Sequence, residues 1–180
     1  MPAYVALLRG INVGGHNILP MQKLRDLLTG IACTNVATYV QSGNAVFQHA
    51  AAPARLAGDI ATTIEAEFGF QPAVLVLESE TFRAIAAGNP YADEAEDSKP
   101  SHVWFLSEPA VNANLEKLTA IASDDERFEL TDKAFYLRAP SGIGRSKLAA
   151  AVEKSLGVPA TARNSRSVSK ICGLLGQLGK

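Results

Sequence analysis

Four short segments of this chain combine glycine, amide and guanidinium groups where strands turn into helices or into other strands. The first is Arg9-Gly10-Ile11-Asn12-Val13-Gly14-Gly15-His16-Asn17. Three glycines free the main chain, so amide N–H groups can face an anion, and Arg9 adds charge beside Asn12. The glycine spacing matches neither the dinucleotide fingerprint nor the Walker phosphate loop. A tight turn using glycine for positive φ accounts for the same residues. The second segment, Gln41-Ser42-Gly43-Asn44, reads as a hairpin turn carrying three polar side chains. The third, Ser141-Gly142-Ile143-Gly144-Arg145-Ser146-Lys147, is the strongest anion signal. Ser146 is a helix-capping type, and Arg145 and Lys147 bring charge. No acidic residue occupies the first turn to offset the helix dipole. A phosphate or carboxylate suits that position, and so does an ordinary capped turn with exposed basic groups. The fourth, Thr161-Ala162-Arg163-Asn164-Ser165-Arg166-Ser167, offers Arg163 and Asn164; its plain alternative is a surface loop followed by a Ser167 cap.

Other chemistry has thinner support. His16, His49 and His102 lack metal-ligand spacing, and Cys33 and Cys172 lack a C-x-x-C partner. His16 and Ser42 have the types of a base and a nucleophile, but no carboxylate is evident to orient the imidazole. Asp93–Asp97 reads as a solvated acidic loop. Trp104 and Phe105 are the types that stack bases on an open sheet, although core packing explains them as well.

The elements that must position these groups follow from periodicity. Tyr4–Leu8 is a buried strand. Met21, Leu24, Leu27 and Leu28 mark a helix that begins after Pro20 and ends at Gly30. Val36–Val40 and Ala45–Phe47 are strands joined by the Ser42-Gly43-Asn44 turn. Leu56, Ile60, Ile64 and Phe68 line a long helix closed by Gly69, and Ala73–Leu77 is a strand. The order is βαββαβ. After a short helix, Glu80–Ala87, and an acidic loop, Asn89–Pro100, the order recurs. Val103–Leu106 is a strand. Val111, Leu115, Leu118 and Ala122 make a helix. Arg127–Leu130 and Ala134–Leu137 form a hairpin, Lys147–Leu156 a helix, Pro159–Arg163 a strand and Ser167–Leu178 a last helix. The fold class is therefore α+β, with two successive βαββαβ ferredoxin-like subdomains plus a C-terminal helix. The expected divisions are 1–78, a helix and acidic linker over 79–100, and 101–180 with the terminal helix. In such a fold the first two polar turns share one end of a sheet. The face away from the helices can stay open, and a cleft between the halves is a natural site.

A chain of 180 residues buries roughly 70% of its unfolded surface when it packs as one body, so it needs neither disulfides nor metal to fold. Hydrophobic residues are 47% and charged residues 19%, which excludes disordered, collagenous and disulfide-scaffold classes. The longest apolar runs are far too short for a membrane span. No secretory signal is evident, and two lone thiols suit a reducing cytoplasm. Net charge is −1, but it is unevenly placed. Residues 78–132 carry four basic and thirteen acidic groups, and residues 133–180 nine basic and one acidic. Such a basic third suits an anionic partner; internal pairing with the acidic third explains it equally.

Tyr4-Val5-Ala6-Leu7-Leu8-Arg9-Gly10-Ile11-Asn12-Val13-Gly14-Gly15-His16-Asn17 resembles the opening of a bacterial family of uncharacterised proteins, domain of unknown function 1697. Tyr39-Val40-Gln41-Ser42-Gly43-Asn44, Gly142-Ile143-Gly144-Arg145-Ser146-Lys147-Leu148 and Thr161-Ala162-Arg163-Asn164 resemble its further motifs, in order. The resemblance implies a two-subdomain ferredoxin-like α+β fold and no particular activity, substrate or cofactor. Family members often carry tryptophan after the Arg-Asn pair; this chain has Ser165, so a pocket formed by that aromatic would be altered here.

The leading expectation is a binding protein for a phosphorylated, nucleotide or nucleic-acid ligand in a cleft between subdomains. Arg9, Arg145, Lys147 and Arg163 supply charge, and Asn12, Gln41, Ser42, Asn44, Ser146 and Asn164 orient the ligand. No metal, cofactor or membrane is expected. One alternative is a metal-independent hydrolase or transferase that uses His16 as base in the same cleft. Another is a protein-interaction module in which the acidic and basic thirds pair between chains.

Overall fold

The computed structural model describes residues 1–92 and 101–178. The chain forms two compact units, Met1–Ala84 with Ser169–Lys180, and Ile85–Val168. The acidic stretch Asp93–Asp97 of the expected linker lies outside the described residues.

In the first unit, strands β1 (Ala3–Arg9), β2 (Thr34–Tyr39), β3 (Asn44–Gln48) and β4 (Ala73–Glu78) form one antiparallel sheet in the order β2-β3-β1-β4. Helices α1 (Met21–Gly30) and α2 (Pro53–Phe68) are the crossovers. Each shows the expected apolar stripe. Leu24 and Leu28 of α1, and Leu56, Ile60 and Ile64 of α2, pack on Tyr4, Ala6, Leu8, Ala45 and Phe47. Gly69 closes α2 with φ 74°, the left-handed conformation that suits glycine. Helix α3 (Ser79–Ala87) follows β4.

The second unit repeats the order. Strands β5 (His102–Leu106), β6 (Arg127–Leu130), β7 (Ala134–Arg138) and β8 (Ala160–Asn164) are arranged β6-β7-β5-β8. Helices α4 (Leu115–Ile121) and α5 (Lys147–Leu156) cover one face. The core on that face is built on Trp104, Phe135 and Phe128. Trp104 meets Phe135 edge-on at 5.8 Å, and Phe128 stacks on Phe135 at 5.4 Å. Helix α6 (Ser165–Leu175) ends the described fold. From Ser169 onward it belongs to the first unit, where the Cys172 turn lies near Arg83 of α3.

Several expectations need correction. The helix expected from Val111 starts only at Leu115, because Asn114 caps it by accepting from the Lys117 N–H at 3.0 Å. Val111 is left 85% exposed. The last helix starts two residues early, at Ser165. Asn164, not Ser167, takes the capping role, accepting from the Ser167 N–H at 2.8 Å. Strand β2 ends at Tyr39 because Val40 turns to φ 51°. The sheet faces away from the helices are not open. Val5, Leu7 and Val46 on the first sheet, and Val103 and Phe105 on the second, are at most 1% exposed. Trp104 is 3% exposed and packs against the helices, so neither aromatic is placed to stack a base.

Candidate functional site

Strand polarity decides which turns meet. Both β1 and β2 run antiparallel to β3 and so are parallel to each other. The turns after Arg9 and after Tyr39 therefore leave the first sheet at the same end. They are bonded together there: the Asn12 Nδ2 donates to Gln41 O at 2.8 Å and to Leu19 O at 3.0 Å, and its Oδ1 accepts from the Leu19 N–H at 2.8 Å. The Leu8 N–H donates to Gly43 O at 2.8 Å. Asn44, 1% exposed, donates to Tyr39 O at 2.9 Å and to Ser42 Oγ at 3.1 Å.

Within the first turn, Val13 to His16 forms a minute hairpin with Gly14 at φ 57° and Gly15 at φ 77°. Two consecutive positive φ angles are what a type I′ turn requires, and glycine meets that at no steric cost. Asn17, which sequence reasoning passed over, sits at φ 52° and donates from Nδ2 to Gly10 O at 2.8 Å. Asparagine's tolerance of the left-handed region was the available signal. Of the five residues singled out here, Arg9, Gln41 and Ser42 face outward, whereas the Asn12 amide ties the first turn to the second and the Asn44 amide closes the second turn on itself. His16 is exposed where the small hairpin closes on Val13, and no carboxylate orients its imidazole among the described residues.

The remaining candidates gather at one end of the second sheet. In the register, Leu137 pairs with His102, and His102 pairs with Asn164. The chain leaving β7 and the chain leaving β8 therefore exit together. After β7, Gly142 at φ 98° opens a short 3-10 turn, Ile143–Arg145. Ser146, buried, caps α5 by accepting from the Ala149 N–H at 2.9 Å. Arg145 and Lys147 are exposed on either side of that cap, and neither forms an ion pair among the described residues. No acid lies in the first turn of α5. The neighbouring acid, Asp125, is engaged elsewhere: its Oδ2 accepts from Ser141 Oγ at 3.3 Å, and its carbonyl from Arg138 Nη1 at 3.1 Å.

Arg163 and Asn164 act differently. Arg163 pairs with Val103 on the face of the second sheet away from the helices and donates to Ala162 O at 2.8 Å. Burial lowers its pKa to about 10, because desolvation penalises the cation. Asn164 is the cap of α6. Among the described residues, no group of three or more histidine, cysteine or carboxylate side chains is placed to hold a metal.

The acidic and basic thirds share one sheet. Strand β6, from the acidic third, is bonded to β7, from the basic third, within one sheet. The first unit holds seven basic and six acidic residues, and the second ten and twelve. Each unit is thus near neutrality. Among the described residues no helix is long and apolar enough to cross a membrane.

Two βαββαβ units with the same strand order define an α+β protein of tandem ferredoxin-like type. The chain belongs to the family described as Protein of unknown function (DUF1697), whose model matches residues 1–136. Among solved structures it is similar to conserved bacterial protein SP0830 from Streptococcus pneumoniae. The two share 24% identity over 97% of this chain and 98% of that one, with a TM-score of 0.70, a likeness of fold. A search of curated proteins finds no match to this chain.

Proposed function

We propose that this protein binds a phosphorylated or otherwise anionic ligand at the Gly142–Lys147 turn. One observation carries the reading. Arg145 and Lys147 stand exposed beside the buried Ser146 cap, without an ion pair among the described residues, at a helix start that holds no acid. The partial positive charge of ten-residue α5 adds to theirs. Arg163 contributes field from within the sheet, and Asn164 shapes the adjoining exit as a helix cap.

The test is thermal stability of the parent chain against inorganic phosphate, nucleotides, sugar phosphates and short oligonucleotides. Ligand at 100 times its dissociation constant stabilises by about 2.7 kcal/mol. The expected result is a shift that Arg145→Ala and Lys147→Ala each diminish, while Lys154→Ala, at the other end of α5, leaves it unchanged. A shift that falls steeply with salt marks nucleic acid, and a shallow dependence marks a small ligand. A shift equally strong in all three variants would overturn this location, and no shift across the panel would overturn the reading for these ligand classes.

A further inference from the structure

His49 follows β3 and joins segments of the first unit that are distant in the chain. Its backbone N–H donates to Pro2 O at 3.1 Å. Its Nε2 lies 3.1 Å from Ile31 O, at the C-terminal cap of α1. Its Nδ1 lies 2.9 Å from the Ala51 nitrogen, just before α2. Ala51 is held on its other side too, because its carbonyl accepts from the Tyr4 hydroxyl at 3.0 Å.

These partners fix the protonation state that fits. A carbonyl can only accept, so Nε2 carries a proton; a backbone N–H can only donate, so Nδ1 carries none. The result is the neutral imidazole in one tautomer. The imidazolium has a donor at both nitrogens. Its Nδ1–H would confront the Ala51 N–H, and a half-buried amide would lose its partner.

Neighbouring charges do not compensate. Among the described residues no carboxylate bonds to the imidazole. The titratable and charged groups on the surrounding elements are the Met1 amino group and the Tyr4 phenol at the start of β1, the Cys33 thiol beyond Ile31, Tyr39 at the far end of β2, Arg25 and Asp26 on α1, and Arg55 on α2. Cys33 is pushed up to about 11 and is neutral. Arg25 and Asp26 bond to Gln22, and Arg55 pairs with Asp59 at 3.4 Å.

We propose that His49 is a proton-operated latch: neutral, it clamps the start of α2 to the end of α1, and protonated, it releases the link 49–52 between β3 and α2. The sign follows from the donors. The latch is closed above the ordinary imidazole range, about pH 6.5, and opens as pH falls. The stability it contributes is lost in the same direction.

Long-range 1H–15N spectra of the parent chain at pH 8 read the tautomer, with Nε2 protonated and Nδ1 bare expected. Hydrogen exchange reads the latch itself. Protection of the Ala51 amide, corrected for the intrinsic pH dependence of exchange, falls roughly two- to tenfold from pH 8 to pH 5, the loss of one hydrogen bond. Urea midpoints compare the parent with His49→Asn, whose side-chain oxygen accepts without titrating, and with His16→Asn, where an exposed imidazole bonds to nothing among the described residues. From pH 8 to pH 5 the parent and His16→Asn lose stability relative to His49→Asn. The opposite tautomer overturns the proposal. So does unchanged Ala51 protection, or a pH slope shared by the parent and both variants. The spectra and the exchange need no variant, so they decide the matter even where His49→Asn does not fold.

Discussion

Replacing Gly43 by alanine isolates what holds the two polar turns of the first unit together. Gly43 sits at φ +83°, and an added Cβ would lie 2.7 Å from Ile11 Cδ1 and 2.8 Å from Leu8 Cβ. Carbon atoms pack best at about 3.5–4.0 Å. The isoleucine methyl can swing aside, but Leu8 Cβ belongs to a central strand bonded on both sides. The positive φ costs an L-residue about 1–2 kcal/mol, and overpacking adds about 1–3 kcal/mol. Gly15 is the control. It has φ +77° but nothing within 4 Å of its would-be Cβ, so only the backbone cost applies. For a chain of this size each kcal/mol moves Tm by roughly 2–4 °C. Gly43→Ala should therefore melt roughly 2–12 °C below Gly15→Ala, the span set by the overpacking cost alone. Thermal unfolding followed by circular dichroism reads the difference. Equal melting temperatures would refute the argument that Gly43 serves close packing against Leu8 and Ile11.

Asn12→Ala removes two donated bonds and one accepted bond at a residue with φ 54°, which at roughly 0.5–1.5 kcal/mol apiece costs about 1.5–4.5 kcal/mol; urea unfolding measures it, and a loss below about half a kcal/mol would remove its holding role. Burial raises the Cys33 thiol to about 11 from an ordinary 9.0. The unfolded chain then loses this proton first as pH rises, so the thiol's contribution is complete below pH 9.0 and is lost toward pH 11. Urea midpoints at pH 8 and 10.5 should converge in Cys33→Ala relative to the parent, and an unchanged pH slope would exclude that linkage.

Most of the architecture is legible because each element carries its own period. The 3.6-residue stripe of Leu56, Ile60 and Ile64 and the left-handed stop at Gly69 mark α2 without reference to the rest of the chain. Element starts are less legible where a short polar side chain competes with the apolar pattern. Val111 fits the helical spacing of Leu115 and Leu118, yet Asn114 takes the free Lys117 N–H and sets the start. Asn164 does the same for α6. The openness of a sheet face was not legible either. Val5 and Val103 alternate as buried strand residues do, whatever it is that covers them.

The candidate site divides along the same line. Residue types and local turn chemistry marked all four polar segments, because glycine, asparagine and a serine cap act within a few residues of chain. They could not tell a side chain offered to a ligand from one spent on the fold. Asn12 and Gln41 are 29 residues apart in sequence, and Arg163 is half-buried beside a strand distant from it in the chain. Local sequence therefore determined the elements, their order and the positions of the turns. Tertiary structure alone decided which amides are consumed and which cations stay exposed. Those outcomes depend on strand polarity and burial, which arise only when distant segments pack.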